Sequence, residues 1–197
     1  MDNFRLNDRV CLKQTKFLRY ILVVFAGTLI LAVSSKIKIP FYPVPMTMQT
    51  LIVLSLGALF GWKIGIATVI LYLFEGMIGL PVFAGTPEKG LGLVYFVGPT
   101  MGYLIGFIPA VFFSGLLRVH SKYNLIIKFI LYFMIYTFSV SFIYLFGLIW
   151  LTNFVPVEKI WLLGALPFLP AELLKVLILT SFVSVFDKNI LSWRSFR

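Results

Sequence analysis

Six apolar runs, at 20–39, 47–60, 64–80, 99–117, 125–150 and 161–186, dictate the solvent in which this chain can fold. A helix crossing a bilayer core needs about 20 residues, with a range of roughly 17–25. The chain is 60% hydrophobic and 12% charged, which excludes a water-soluble domain. The run at 47–60 is short, so it is expected to tilt or to span only with its flanks, and the run at 161–186 either spans whole or begins at Pro170 after an irregular or short helical lead-in over 161–169. The chain reads as an all-α integral membrane protein, a six-transmembrane-helix bundle. A basic tail occupies 1–19, the membrane domain 20–186 and a C-terminal tail 187–197. The first run carries a loose cleavage-like Ala32-Val33-Ser34. It outlasts the roughly 7–15-residue apolar core of a signal peptide and is read as a retained span.

The formal charge of +10 follows from residues that flank the spans. No soluble basic face exists to carry a nucleic acid, and membrane lipid is the expected surrounding. Twelve of the 17 Lys and Arg fall in the two tails, the 61–63 turn and the 118–128 region. Lys36, Lys38, Lys89 and Lys159 fall on the other side. The positive-inside rule then places both termini in the cytoplasm of a multi-pass protein of the cell's inner (plasma) membrane. Trp62 and Trp193 fall at inner span ends, Trp150 and Trp161 at outer ones, as an aromatic belt requires. The segments 40–46, 81–98 and 151–169 lie outside and hold the unusual sequences, so a ligand site built from these outer loops faces the exterior.

Two ionisable residues stand within the last run, in Pro167-Phe-Leu-Pro-Ala-Glu-Leu-Leu-Lys175. Glu172 and Lys175 are three apart and share one helix face. A charge at the centre of a span costs roughly 2.5–3.5 kcal/mol, so such residues face a cavity or each other and mark functional sites by default. A second account stays open. Pro170 suits the first helical position, which sets Glu172 in the first turn, where the helix dipole favours a carboxylate and Lys175 pairs with it.

Other segments add candidates. In Ile39-Pro-Phe-Tyr-Pro-Val-Pro-Met-Thr-Met-Gln49, three prolines forbid a helix and favour an extended path. Phe41 and Tyr42 add aromatic surface, and Thr47 and Gln49 place hydrogen-bonding groups at the mouth of the second span. Gly98, Gly102 and Gly106 recur every four residues, a stripe that suits helix packing better than ligand contact. Glu75 reads as half-exposed or locally paired. On the first span Ala26, Thr28, Ala32 and Ser35 are small and suit close helix contact, with another span or with another protein.

Enzymatic function is disfavoured. One cysteine, Cys11, excludes an intrachain disulfide and any cysteine-based metal cluster, and one histidine, His120, leaves no histidine cluster. Neither G-x-x-x-x-G-K-[ST] nor H-E-x-x-H occurs.

Taken together, Ile39-Pro40, Val44-Pro-Met-Thr-Met-Gln49-Thr-Leu51, Gly79-Leu-Pro-Val-Phe-Ala-Gly85, Gly98-Pro-Thr-Met-Gly-Tyr-Leu-Ile-Gly-Phe107 and Pro167-Phe-Leu-Pro170 with Glu172 and Lys175 resemble the BioY family. These are the biotin-specific substrate-binding subunits (S components) of energy-coupling-factor transporters. The resemblance implies a six-helix bundle that captures biotin near the outer surface. It implies a transmembrane T component and two cytoplasmic ATPase subunits as partners, with Ala26, Thr28, Ala32 and Ser35 docking on the T component. No cofactor is expected, biotin being the transported ligand. Glu172 is expected to accept the ureido N–H bonds and Lys175 to donate to the ureido oxygen or pair with the tail carboxylate. Phe41, Tyr42, Phe83 and Tyr95 are expected to pack the rings and chain, with Thr47 and Gln49 nearby. The family usually has Gly-Asp where this chain has Ala171-Glu172, a longer carboxylate of the same charge. Two other readings stay open: a stand-alone biotin facilitator, and a structural membrane protein whose Glu172–Lys175 pair only fixes packing.

Overall fold

The computed structural model describes residues 2–88, 90–120 and 122–194, with side chains from 17 to 186 apart from 89 and 121. The expected positions of Lys89 and of the tail side chains, Trp193 among them, lie outside these described residues. Helix α1 runs Asp2–Lys36. Its length follows from the sequence, which has neither proline nor glycine before Gly27, so the polar 2–19 segment continues the helix of the first apolar run.

The chain leaves α1 three residues before the expected end of the run, because prolines at 40, 43 and 45 bar a helix there. It does not run on in an extended path. Lys38–Ile39 (β1) and Met46–Thr47 (β2) pair antiparallel, Lys38 opposite Thr47 and Ile39 opposite Met46, so the proline segment folds back as a hairpin. Helix α2 follows at Gln49–Phe60 and α3 at Trp62–Met77. Gly61 alone joins them, at a φ of 84°, a conformation L side chains rarely adopt. A loop with the short α4 (Leu93–Phe96) leads to α5 (Met101–Leu116), and Asn124 caps α6 (Leu125–Leu151) by accepting from the Ile127 amide at 2.9 Å. The last expected run divides. A single 3-10 turn and α7 (Ile160–Gly164) form a lead-in, and α8 begins at Leu169 and continues to Arg194.

Three described segments are long and apolar enough to cross a membrane alone: Phe17–Lys36, Leu125–Leu151 and Leu169–Phe186. Helices α2 and α5 are apolar but shorter, about 18 and 24 Å at 1.5 Å per residue.

The core divides in two. One part joins α1, α3 and α5 with residues of α2 and α6 and of the connecting loops, and the other joins α2, α6 and α8. The small residues of α1 serve the first part. A Cβ on Gly27 would lie 2.6 Å from Thr68 of α3. Thr28 and Ser35 are buried in this contact, Ala32 is half-buried and Ala26 is exposed. Thr28 and Ser35 are thus enclosed by other parts of this chain.

The glycine stripe packs helices, as its spacing suggests. A Cβ on Gly106 would sit 2.6 Å from Ile143 Cα, and one on Gly102 2.5 Å from the Phe146 carbonyl oxygen. Gly98 differs: its carbonyl accepts from Trp150 Nε1 at 3.0 Å, and a Cβ there meets only the Tyr95 carbonyl, at 3.2 Å. Gly106→Val is therefore expected to destabilise the α5–α6 pair by about 1–3 kcal/mol, lowering the thermal midpoint in detergent. Gly98→Ala is expected to change that midpoint far less.

Candidate functional site

Helix α8 opens at Leu169-Pro170, and its first turn carries Glu172, whose amide donates to the Phe168 carbonyl at 2.9 Å. Lys175 lies one turn on, and its Nζ sits 2.7 Å from Glu172 Oε1. Both residues are buried, at 6% and 4% exposure.

The start of α2 meets this pair. Lys175 Nζ donates to the Thr47 carbonyl at 2.6 Å and to Thr50 Oγ1 at 3.0 Å, besides Glu172. An ammonium has three protons and no lone pair, so all three donors are in use. Thr50 Oγ1 in turn donates to Glu172 Oε1 at 3.0 Å. The carboxylate therefore stands where two helix N-termini converge, each favouring negative charge. Its other oxygen, Oε2, is buried and accepts from no described residue. A buried ion pair is tolerated when its remaining lone pairs are satisfied, so this bare oxygen is an acceptor awaiting a donor.

A cavity opens beside it. Thr47, Gln49, Thr50, Thr100 and Glu172 form its polar part, with Tyr103, Leu104, Phe107, Ile143, Tyr144 and Phe168 as walls. Val44, Pro45 and Met46 of the hairpin, Ala84 and Tyr95 form the rim. The room inside is about 60 Å³, and the cleft including its open mouth is about 530 Å³. Mostly apolar walls around a few convergent polar groups are what a small-molecule site requires.

The rim is pinned through backbone carbonyls. Ser35 Oγ donates to the Val82 carbonyl at 2.7 Å, and Lys36 Nζ donates to those of Phe83 and Thr86 at 3.0 and 3.2 Å. Gln49 Nε2 donates to the Tyr72 hydroxyl at 2.7 Å, which in turn donates a hydrogen bond to the Val82 carbonyl at 2.9 Å. Tyr95 donates to the Ala84 carbonyl at 2.8 Å.

Of the residues expected from sequence, Thr47, Gln49, Tyr95 and Glu172 line the cavity. Lys175 stands behind Glu172 rather than on the lining. Phe83 is buried one layer back, stacked on Tyr95 at 4.8 Å and edge-on to Tyr72 at 5.2 Å. Phe41 packs edge-on against Phe168 at 5.7 Å and supports the wall from outside. Tyr42 is 85% exposed at the hairpin tip, where the reversal of the proline segment turns it from the cavity. Glu75 is half-buried on α3, and is not among the residues that line the cavity. Sequence reading missed Thr50, Tyr103, Tyr144 and Phe168. Thr50 directly follows Gln49 and Phe168 lies inside the Pro167–Pro170 motif, so both had a local signal. Tyr103 lies inside the Gly98–Phe107 motif and had the same signal, whereas Tyr144 is one aromatic residue among many and had none.

A model of the BioY family matches residues 7–191. The chain belongs to the BioY family. Among its BioY relatives, the probable biotin transporter BioY of Pyrococcus horikoshii is 35% identical over 144 residues, covering 73% of this chain and 81% of the relative. The biotin transporter BioY of Thermotoga maritima is 35% identical over 152 residues, covering 77% and 85%. The fold superimposes on a crystal structure of the S component for biotin from an ECF-type ABC transporter. The TM-score is 0.66 at 26% identity, over 92% of this chain and 93% of that one.

The charge cluster makes a stability prediction for this BioY protein. Lys175→Ala leaves Glu172 buried without its counter-charge and is expected to cost about 3–5 kcal/mol. The double variant Glu172→Leu/Lys175→Leu removes both charges and is expected to recover most of that loss. Thermal unfolding of the two variants beside the parent protein checks this.

Proposed function

We propose that this chain captures biotin from the outer side of the plasma membrane, as the substrate-specific subunit of an ATP-driven vitamin importer. The observation that carries the reading is Glu172 Oε2, an acceptor without a partner beside an apolar cavity. Biotin matches that chemistry: its bicyclic ureido head offers N–H donors on an apolar thioether ring, with an aliphatic acid arm. A hydrogen bond from a ureido N–H to the carboxylate is charge-assisted, roughly twice as strong as a neutral one. Lys175, with its three protons already placed, fixes the rotamer and charge of Glu172. The names of the relatives and of the structural neighbour support the same ligand.

The energy must come from elsewhere, because the sequence has no phosphate-binding loop. A transmembrane T component and two cytoplasmic ATPase subunits fit that need, as the neighbour's description as part of an ECF-type ABC transporter suggests. In this reading α1, α2, α3, α5, α6 and α8 are six spans, and both termini are cytoplasmic.

Titration calorimetry of the purified protein with biotin tests the reading. The parent protein is expected to bind, and Glu172→Leu to weaken binding by about 10–100-fold. Absence of binding by folded parent protein contradicts it. Orientation is tested separately with Cys11 replaced by serine. A membrane-impermeant thiol reagent on intact cells is expected to label Glu88→Cys and spare Lys122→Cys, and the reverse pattern contradicts the topology.

A further inference from the structure

The lining has a free acceptor, and its polar donors are almost all spoken for. The Thr47 hydroxyl is directed to Gln49 Oε1 at 3.2 Å, and the Gln49 amide nitrogen is turned to Tyr72. Thr50 serves Glu172, Tyr95 serves Ala84, and Tyr103 donates to the Gly164 carbonyl at 2.8 Å. Tyr144 is different. Its ring lines the cavity, and its hydroxyl makes no hydrogen bond with any described residue.

Position distinguishes Tyr144 further. Its ring packs edge-on against Tyr103 at 6.1 Å and lies 6.5 Å from the ring of Phe168, whose carbonyl holds the Glu172 amide. Tyr144 is half-buried and packs against both parts of the core, so its ring is held while its hydroxyl stays available. Thr100, another lining residue with a hydroxyl, is the N-cap of α5.

We infer that Tyr144 is a ligand-binding residue whose hydroxyl donates to the carbonyl oxygen of the cyclic urea, beside the N–H taken by Glu172 Oε2. The inference rests on the reading of the site as one for biotin. A urea edge presents N–H and C=O side by side, and a carboxylate with a phenol presents the complementary acceptor and donor. This pairing gives the site a means of telling a cyclic urea from a ring that lacks an accepting oxygen. A buried carbonyl deprived of its donor loses affinity, which is where such discrimination arises.

The probe is 2-iminobiotin, which at neutral pH carries a protonated guanidinium and offers N–H where biotin offers the oxygen. Calorimetric titrations of biotin and 2-iminobiotin are compared on the parent protein and on Tyr144→Phe, which keeps the ring and its packing. The expected result is a fall of about tenfold in biotin affinity with 2-iminobiotin affinity unchanged, so that the preference narrows by the same factor. Unchanged biotin affinity overturns the inference, and so does an equal loss for both ligands, which marks a hydroxyl that does not distinguish the accepting oxygen. Parent protein that binds no biotin overturns the uptake reading and this inference with it. A matching thermal midpoint for Tyr144→Phe excludes unfolding as the cause of any loss.

Discussion

The ammonium of Lys175 is the contact on which the cavity end of the bundle depends. It joins α8 to the start of α2 through the Thr47 carbonyl and Thr50, and it neutralises Glu172 where water is excluded. A lone charge at that depth is costly, so lysine, carboxylate and threonine stand or fall as one unit. The unit leaves one carboxylate oxygen over. On the proposed reading, that surplus acceptor turns a packing device into a binding site.

The surrounding structure keeps the oxygen in place. The glycine stripe of α5 lets α6 approach closely, which brings Tyr144 and Ile143 to the cavity wall. The end of α1 holds the 82–86 segment by its carbonyls, and the Gln49–Tyr72–Val82 chain of hydrogen bonds ties the same segment to α2 and α3. Side chains that hold backbone carbonyls secure a loop irrespective of its own side chains. Long helices and a pinned rim thus place Glu172 on the lining of a cleft.

Much of this was legible in the sequence because membrane folding leaves strong marks. The apolar runs located the helices, and the proline at 170 located the start of α8. The i,i+3 spacing located the ion pair, because two charges in an apolar helix must meet. The glycine stripe declared close packing. What the sequence could not convey was the path of the chain between helices. The proline segment looked extended, yet it folds into a hairpin that turns Tyr42 outward and Phe41 onto Phe168. Phe83 sat in a motif pointing to the site but lies one layer behind it. Tyr144 escaped notice because α6 is apolar on every face, and periodicity does not say which aromatic residue meets a cavity. Small residues on α1 carried the same ambiguity, since close contact inside the chain and with a partner demand the same side chains.

The measurement that tests the central claim most directly is an experimental structure of this protein with biotin bound. The account predicts a ureido N–H within hydrogen-bond distance of Glu172 Oε2, with Lys175 still bonded to Glu172 and to the Thr47 carbonyl. A structure in which the ureido head lies away from Glu172, or in which the tail carboxylate takes Lys175 from Glu172, contradicts it.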